Sequence, residues 1–276
     1  KPIIRPATII KMRHNPNTPV RTDSIEYLKR KAFFDQLITV YGRKPVMELL
    51  QDESLQIYRL HLADSNRDGV VIDQIKQLAE RRNVEIQYHS RSALSRISRN
   101  SKQDQGVACD IQCLGYQPYE HALDSLEDGN RKVVIALDGV TNPQNLGMII
   151  RSVTASPCYG LLLPSKGVAE ISPLVIKASA GTIFKGNILR CDSLVTALKN
   201  FKKKGFEICM MSSHEATSLA ELSKHKSVVY VLGNESEGVS DEIAKLCDLR
   251  VGIPMNNGVE SLNVAVAAAL IAFTAH

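Results

Sequence analysis

From Lys132 onward the chain alternates short, almost wholly apolar runs with segments of helical period, and this alternation narrows the possible folds most. VVIALD, YGLLLP, FEICMMS, VVYVLG and LRVGIP are too short for buried helices and show no polar alternation, so they read as strands buried on both faces. NILR adds a shorter one. NLGMIIRSVTA, SPLVIKASAG, SLVTALKNFKKKG, SDEIAKLC and SLNVAVAAALIAF fall among them and read as helices. In the first of these, Leu146, Ile149, Ile150 and Val153 stand at i, i+3, i+4 and i+7. Strand–helix alternation predicts an α/β fold with a mostly parallel sheet covered on both sides.

Upstream, the pattern is a smaller α/β unit. YGRKPVMELLQ, DGVVIDQIKQLAERRN and SALSRIS read as helices, the second with Val71, Ile75 and Leu78 on one face. IYRLHLAD, VEIQYHS and GVACDIQCL read as strands. This divides the chain into an arm (1–40), a small domain (41–114), a polar linker (115–131) and the larger domain (132–276). The arm contains Pro2, Pro6, Pro16 and Pro19 and reads as loosely ordered.

Charge is uneven. Residues 1–44 hold ten Lys and Arg against three acids, while the rest of the chain, with 24 against 26, is near neutral. A basic arm on a neutral body points to a polyanion partner or to a solubilising tail. Aromatic residues make up 5% of the chain and Trp is absent, which argues against a broad base-stacking platform. The six Cys are scattered without a CxxC and read as free thiols in a reducing compartment. The seven His show no HxxxH or HxH spacing, so no metal site is expected. No segment reaches the roughly 18 apolar residues of a membrane span, so no membrane partner is expected. The first residue is Lys, which leaves a native start further upstream, or an organelle transit segment, as an open reading beside a cytoplasmic one.

Three strand ends carry unusual polar sequence: LDGVTNPQNLG (137–147), LGNESEG (232–238) and IPMNNGVESLN (253–263). In parallel sheets ligands bind outside the carboxyl ends of strands. Neither GxxxxGK[ST] nor a strand-following GxGxxG is present, which removes a P-loop and an ordinary dinucleotide fold. Asn145 stands where an N-cap is expected. Arg151 lies four residues after Gly147, so its guanidinium could lie over the glycine and reach the loop mouth to hold an oxyanion. A capping Asn and an exposed Arg explain the same residues without a ligand. Gly233 and Gly238 bracket Glu235 and Glu237, and Gly258, Glu260, Ser261 and Asn263 open the last helix. Capping accounts for Ser261 equally well. In that helix Leu262, Val266, Ala269, Leu270 and Phe273 read as the buried stripe, leaving Ala265, Ala268 and Ala272 as a flat face for a partner.

Taken together, NPQNLGMIIRS, KASAG, LGNESEG and IPMNNGVESLNVAVA resemble, in order and spacing, the motifs of the SpoU-type (TrmH-like) RNA 2′-O-ribose methyltransferases of the SPOUT superfamily. The likeness is nearest to enzymes that methylate a guanosine ribose in rRNA, and covers about residues 133–273. Residues 41–114 resemble the family's accessory RNA-binding domain, which is like certain ribosomal proteins.

The resemblance implies a trefoil knot, bound S-adenosylmethionine, an RNA substrate with rRNA favoured over tRNA, and a homodimer whose site is completed across the interface. It maps the family's catalytic residues onto Asn145, Arg151, Glu235, Ser261 and Asn263. It places the cofactor against Leu232, Gly233, Asn234, Ile253, Met255, Ser261 and Leu262, with backbone groups of Gly233, Ile253 and Leu262 on the adenine. Asn142, Pro157 and Ala265 depart from common family residues (Asp, Gly and Ser) without touching these positions. A tRNA enzyme, a non-catalytic RNA-binding or ribosome-assembly factor of the same fold, and a small-molecule nucleotide enzyme are the competing readings.

Overall fold

Two sheets organise the chain in the computed structural model, which describes residues 25–67, 69–126, 131–212, 217–219 and 226–274. After helix α1 (Ile25–Asp35), the smaller unit comprises β1 (Leu37–Tyr41), α2 (Arg43–Gln51), β2 (Gln56–Ala63), α3 (Val70–Arg81), β3 (Glu85–His89), α4 (Arg91–Ser98) and β4 (Val107–Gln112). The larger runs through β5 (Tyr116–Pro118), α5 (Tyr119–Asp124), β6 (Val133–Leu137), α6 (Pro143–Ala155), β7 (Gly160–Pro164), α7 (Pro173–Ala178) and β8 (Ile188–Cys191). It continues with α8 (Leu194–Lys203), β9 (Glu207–Met211), β10 (Thr217–Ser218), β11 (Val228–Leu232), α9 (Asp241–Ala244), β12 (Leu249–Gly252) and α10 (Val264–Phe273).

The larger sheet has the order β10-β12-β9-β11-β6-β7-β8-β5, and every pairing in it is parallel. Every residue of β6, β7 and β11 is buried, as expected where both faces are covered. Val133, Ile135 and Leu137 face one core with α6, α7 and α10; Val134 and Ala136 face the other with α5 and α8. The smaller sheet, ordered β1-β4-β2-β3, packs Leu60, Leu62, Cys109 and Ile111 against Val46, Leu50, Ile72 and Ile75 of α2 and α3.

Four expectations change. Residues 37–40, read as arm, form most of β1, which pairs antiparallel with β4 some seventy residues later in the chain. Residues 25–35, also read as loose arm, are helical; residues 1–24 lie outside the described residues. Residues 115–131, read as linker, contain β5, which extends the sheet beside β8, and α5, whose Tyr119, Ala122 and Leu123 are buried. These segments look polar because one is an edge strand and the other a half-buried helix. On α3 the buried residues are Ile72, Ile75 and Ala79, and Val71 is exposed. Three consecutive apolar residues, Val70 to Ile72, left the face ambiguous by one position.

Helix α10 is turned over relative to expectation. Ala265, Ala268 and Ala272 are buried with Val264 and Ile271, while Val266, Leu270 and Phe273 are 48%, 44% and 52% exposed. The helix has no polar residue to mark a solvent side, so its periodicity could not select a face. Small side chains allow α10 to lie close against α6, and that contact decided the orientation.

A glycine sets the other close contact of α6. A Cβ on Gly147 would stand 2.4 Å from Ala178 Cβ and 2.7 Å from the Val175 carbonyl oxygen of α7. Gly147→Ala is therefore expected to destabilise the fold by roughly 1–3 kcal/mol, seen as a lowered urea midpoint; an unchanged midpoint would show that α6 and α7 can separate freely.

The second face of the smaller sheet, partly covered by α4 through Leu94, carries a polar row across all four strands. Thr39 Oγ1 donates to Asp110 Oδ1 (2.6 Å), His61 Nε2 lies 3.1 Å from Asp110 Oδ2, and His61 Nδ1 lies 2.9 Å from His89 Nε2. Burial first, and then His61 and Arg59, push His89 below the ordinary imidazole value of 6.5, with Asp64 opposing. The folded state thus keeps His89 neutral while the unfolded chain takes up a proton, so stability should fall as pH drops below about 6.5. His89→Gln should flatten this limb when urea midpoints are compared at about pH 7.5 and about pH 5.5; an unchanged slope would exclude His89 as its source.

Candidate active site

The loops predicted to carry chemistry all leave the carboxyl edge of the parallel sheet. Residues 138–142 follow β6, residues 233–240 follow the adjacent β11, and residues 253–263 join β12 to α10. From β6 the chain proceeds to β7 on one side, while β11, β9 and β12 lie on the other, so the first two loops flank a switch point in the strand order.

The first two loops are stitched together. Asn234 Nδ2 donates to the Gly139 carbonyl oxygen (2.9 Å), and Ser240 N donates to Asp138 Oδ2 (2.8 Å). Within the second loop, Asn234 and Gly238 exchange two backbone hydrogen bonds of 2.9 Å, and Ser236 N donates to Asn234 Oδ1 at 2.8 Å. Gly233 permits this turn because a Cβ there would lie 2.0 Å from the Gly238 carbonyl carbon. The tight turn holds Glu235 outward at its tip.

Three predicted residues meet there. Asn145 donates its amide to Glu235 Oε1. Asn263 Nδ2 donates to Asn145 Oδ1 (3.1 Å) and to Glu235 Oε1 (3.2 Å). Asn145 is only 5% exposed, so its fully used side chain is fixed, whereas Glu235 is exposed and Oε2 makes no hydrogen bond among the described residues. The result is a carboxylate oriented by two amides, one inside α6 and one at the N-cap of α10.

Several assignments are corrected. The N-cap of α6 is Asn142, whose Oδ1 accepts from Gln144 N and Asn145 N; Asn145 sits inside the helix. The N-cap of α10 is Asn263, whose Oδ1 accepts from Ala265 N (2.8 Å), and Ser261 is exposed with no hydrogen bond among the described residues. Arg151 cannot lie over Gly147, because α7 occupies that space. Six residues beyond Asn145 is about 9 Å along the axis and about 240° around it, and Arg151 is exposed with no hydrogen-bond or ion-pair partner among the described residues. It stands beside Met148, itself 42% exposed, away from the Asn145–Glu235–Asn263 cluster. Asn234 uses both side-chain polar atoms to build the loops, leaving its side chain a structural role.

The remaining predicted residues form a wall. Leu232 is buried at the end of β11, and Ile253, Met255 and Leu262 are half-buried. Among the described residues Gly233, Ile253 and Leu262 make no backbone hydrogen bond. Backbone groups in partly buried positions ordinarily find partners. Unpaired groups beside apolar Leu232, Met255 and Leu262 suit a flat ring with polar atoms on its edge. Sequence reasoning missed Asp138 and noted Asn142 only as a departure from a common family residue, not as a cap; the signal was an Asp and an Asn flanking a glycine turn before Pro143.

The profile of the SpoU rRNA Methylase family matches residues 132–273, just over half of the chain. A second profile, described as RNA 2′-O ribose methyltransferase substrate binding, matches residues 39–117. An uncharacterized tRNA/rRNA methyltransferase of Mycobacterium sp. (strain KMS) is 31% identical over 238 residues, 86% of this chain and 75% of its own length. Another from Mycolicibacterium smegmatis is 31% identical over 243 residues, 88% of this chain and 76% of its own.

Among solved structures, the AdoMet-bound rRNA methyltransferase from Sinorhizobium meliloti aligns with a TM-score of 0.59 at 22% identity, covering 90% of this chain and 89% of that one. The SpoU methyltransferase AviRb from Streptomyces viridochromogenes, in complex with AdoMet, aligns at 0.58 and 20% identity, covering 92% and 93%. The structural likenesses establish a shared fold. The sequence matches go further, running the length of the larger domain and most of each relative: the chain belongs to the SpoU rRNA methylase family.

Proposed function

We propose that this protein transfers the methyl group of S-adenosylmethionine to a ribose 2′-hydroxyl of RNA, with rRNA the favoured substrate, acting as a homodimer. The observation that carries this reading is the convergence of Asn145 from α6, Glu235 from the loop after β11 and Asn263 from the N-cap of α10, beside backbone groups with no partner among the described residues. S-adenosylmethionine supplies an electrophilic methyl on sulfur when bound. Gly233, Ile253 and Leu262 offer backbone donors and acceptors to its adenine edge, and Leu232, Met255 and Leu262 its apolar walls. Ser261, exposed at the mouth, is assigned to cofactor or RNA contact. The knot implied by the family would lie between β11 and α10, and a sheet in which β11 sits between β9 and β6 is compatible with it.

A 2′-hydroxyl is a weak nucleophile and needs help in losing its proton. Guanidinium is effectively always protonated, so Arg151 is not the base. We assign it to clamp the phosphate next to the target ribose and to stabilise the developing alkoxide, as an oxyanion donor would. The proton then passes to an RNA phosphate or to water. Arg151 stands off the cluster of its own chain, which favours completion of each site by a second copy. Met148 on α6 and Val266, Leu270 and Phe273 on the packed α10 are the exposed apolar residues that such a copy would cover.

The substrate-binding match over residues 39–117 favours a large structured RNA, and the family description favours rRNA. Among the described residues no helix is long and apolar enough to cross a membrane. All six cysteines are free, and burial pushes the Cys113, Cys191 and Cys209 thiols up to about 12. Such thiols are inert and suit the reducing cytoplasm or an organelle matrix.

The test is transfer of labelled methyl from S-adenosylmethionine to rRNA and tRNA of a strain lacking the protein, mapped by alkali-resistant linkages. Label at one rRNA ribose is expected, falling about a hundredfold or more in Arg151→Ala. Label only in tRNA would change the substrate, and no cofactor binding at all would favour the non-catalytic RNA-binding reading. Near-normal turnover by Arg151→Lys would refute a bidentate clamp. Leu270→Lys should yield monomers in sedimentation equilibrium with loss of transfer; an active monomer would refute a shared site.

A further inference from the structure

Three residues, Cys113 to Gly115, separate β4 of the smaller sheet from β5 of the larger one. They form a joint whose parts are fixed. Cys113 is buried, and its N–H donates to the carbonyl oxygen of Gln36, the residue between α1 and β1 (2.8 Å). Tyr116 N donates to the Cys113 carbonyl oxygen (2.9 Å), and Ile188 N of β8 donates to the Gly115 carbonyl oxygen (2.7 Å). Gly115 also lies backbone to backbone with Gly186: a Cβ on Gly115 would stand 2.2 Å from the Gly186 carbonyl oxygen. A Cβ on Gly186 would in turn stand 2.3 Å from Thr154 Oγ1 of α6, the helix that bears Asn145 and Arg151.

One side chain spans this joint. Arg190 of β8 donates through Nη2 to the Asp35 carbonyl oxygen (2.8 Å) and stands 3.6 Å from Asp35 Oδ1. Asp35 is the last residue of α1, and α1 has no basic residue in its own last turn. The final carbonyls of a helix lack internal partners and carry partial negative charge, so a cation from another element satisfies them. The same guanidinium lies 4.6 Å from the ring centroid of Tyr116, the first residue of β5. Arg190 thus grips three elements at once: its own strand, the edge strand β5, and a helix that runs on into the smaller sheet.

An ordinary surface ion pair would not support a role. The two side chains are 29% and 30% exposed, and such a pair contributes little. The bond to the helix-end carbonyl and the stacked ring are directional, however, and Arg190 Nε is buried with no hydrogen-bond partner among the described residues. A merely solvated arginine would keep that N–H in water; burying it unpaired has a cost, and the two contacts offset it by holding the guanidinium in this plane. A second opposite-charge approach crosses the joint nearby. Hydrogen bonds from Ser54, and after them Lys185 of the larger domain, hold the Asp52 carboxyl below its ordinary value, with burial opposing.

Building on the RNA-methyltransferase reading, we infer that Arg190 is a positioning residue: by clasping the end of α1 against β8 and β5 it fixes the smaller domain relative to the catalytic edge, and so sets which ribose of a bound RNA reaches Glu235. An RNA anchored to a domain on a free linker offers many riboses to the site in turn. Anchored to a fixed domain, it offers those at one span, and the orientation is established before the chemistry begins.

The test separates geometry from activity. Arg190→Gln removes the clasp. Arg190→Lys keeps a donor for the Asp35 carbonyl oxygen without a planar group to stack. Gly115→Ala forces the joint apart without touching Arg190. Lys203→Gln on α8 is the control for loss of one exposed charge. Amide hydrogen exchange of the full-length protein is read first, without RNA. Arg190→Gln should speed exchange at Cys113, Tyr116 and Ile188 about tenfold or more, and Arg190→Lys by less, with β6 and β11 unchanged. Methyl transfer to rRNA is then measured and the labelled riboses mapped. Arg190→Gln and Gly115→Ala should raise KM for rRNA severalfold with kcat largely kept, and should spread label to riboses flanking the original one; cofactor affinity by calorimetry should not change. Joint exchange, KM and label pattern equal to those of Lys203→Gln would overturn the clasp and leave the methyltransferase reading intact. A raised KM with unchanged exchange would make Arg190 an RNA contact and overturn it as well. Should Arg190→Gln also loosen β6 and β11, Arg190→Lys and Gly115→Ala decide, and an unaltered label pattern in both would overturn the proposal. Failure of the unaltered protein to methylate any RNA would overturn the function and with it the choice of ribose, while the exchange comparison still decides the clasp.

Discussion

β6 and β11 lie side by side with every residue of both strands buried, and the rest of the larger domain is arranged around that constraint. A strand covered on both faces can present polar groups only at its ends. Residues that must meet solvent or ligand are therefore displaced to the loops at the carboxyl edge. There Asp138, Gly139 and Asn234 tie the two loops to each other, so the position of Glu235 is inherited from the register of the sheet. Asn145 and Asn263 complete the arrangement from two helices that pack against each other, α6 and α10.

Close helix contacts set the second level of organisation. Gly147 lets α7 approach one side of α6, and the alanines of α10 let it approach another. With two flanks so occupied, Met148 and Arg151 are left on the outer side. The same packing turns Val266, Leu270 and Phe273 outward, where an apolar patch is costly for a monomer and suits a partner surface. Arg151 and these residues share a cause: the small side chains of both helices were used inside.

The smaller domain applies related physics to a different end. Its sheet buries one face under α2 and α3 and carries a hydrogen-bonded polar row on the other. At one edge a fully buried carboxylate, Asp104, fixes an arginine that points to solvent. Burying Asp104 is tolerable because three donors satisfy it, and the same donors order the turn that brings Gln105 to Arg43.

The sequence alone determined the strand–helix alternation, the α/β class and three polar loops at strand ends; the residues that meet at Glu235 were named only through the family resemblance. The alternation and the loops are legible because burial on two faces leaves uninterrupted apolar runs, and because a glycine-bounded polar turn after such a run has few structural explanations. Tertiary structure decided the rest. It showed that Asn142 and Asn263, rather than Asn145 and Ser261, cap the helices, since the two candidates in each loop differ only in where the first helical turn closes. It drew residues 37–40 and 116–118 into sheets, because an edge strand takes its stability from a partner distant in sequence. It chose the buried face of α10, where an all-apolar helix carries no periodic signal, and filled the space beside Gly147 with another helix, which sent Arg151 outward. A glycine in the sequence records only that room is needed; which neighbour takes it is decided by packing.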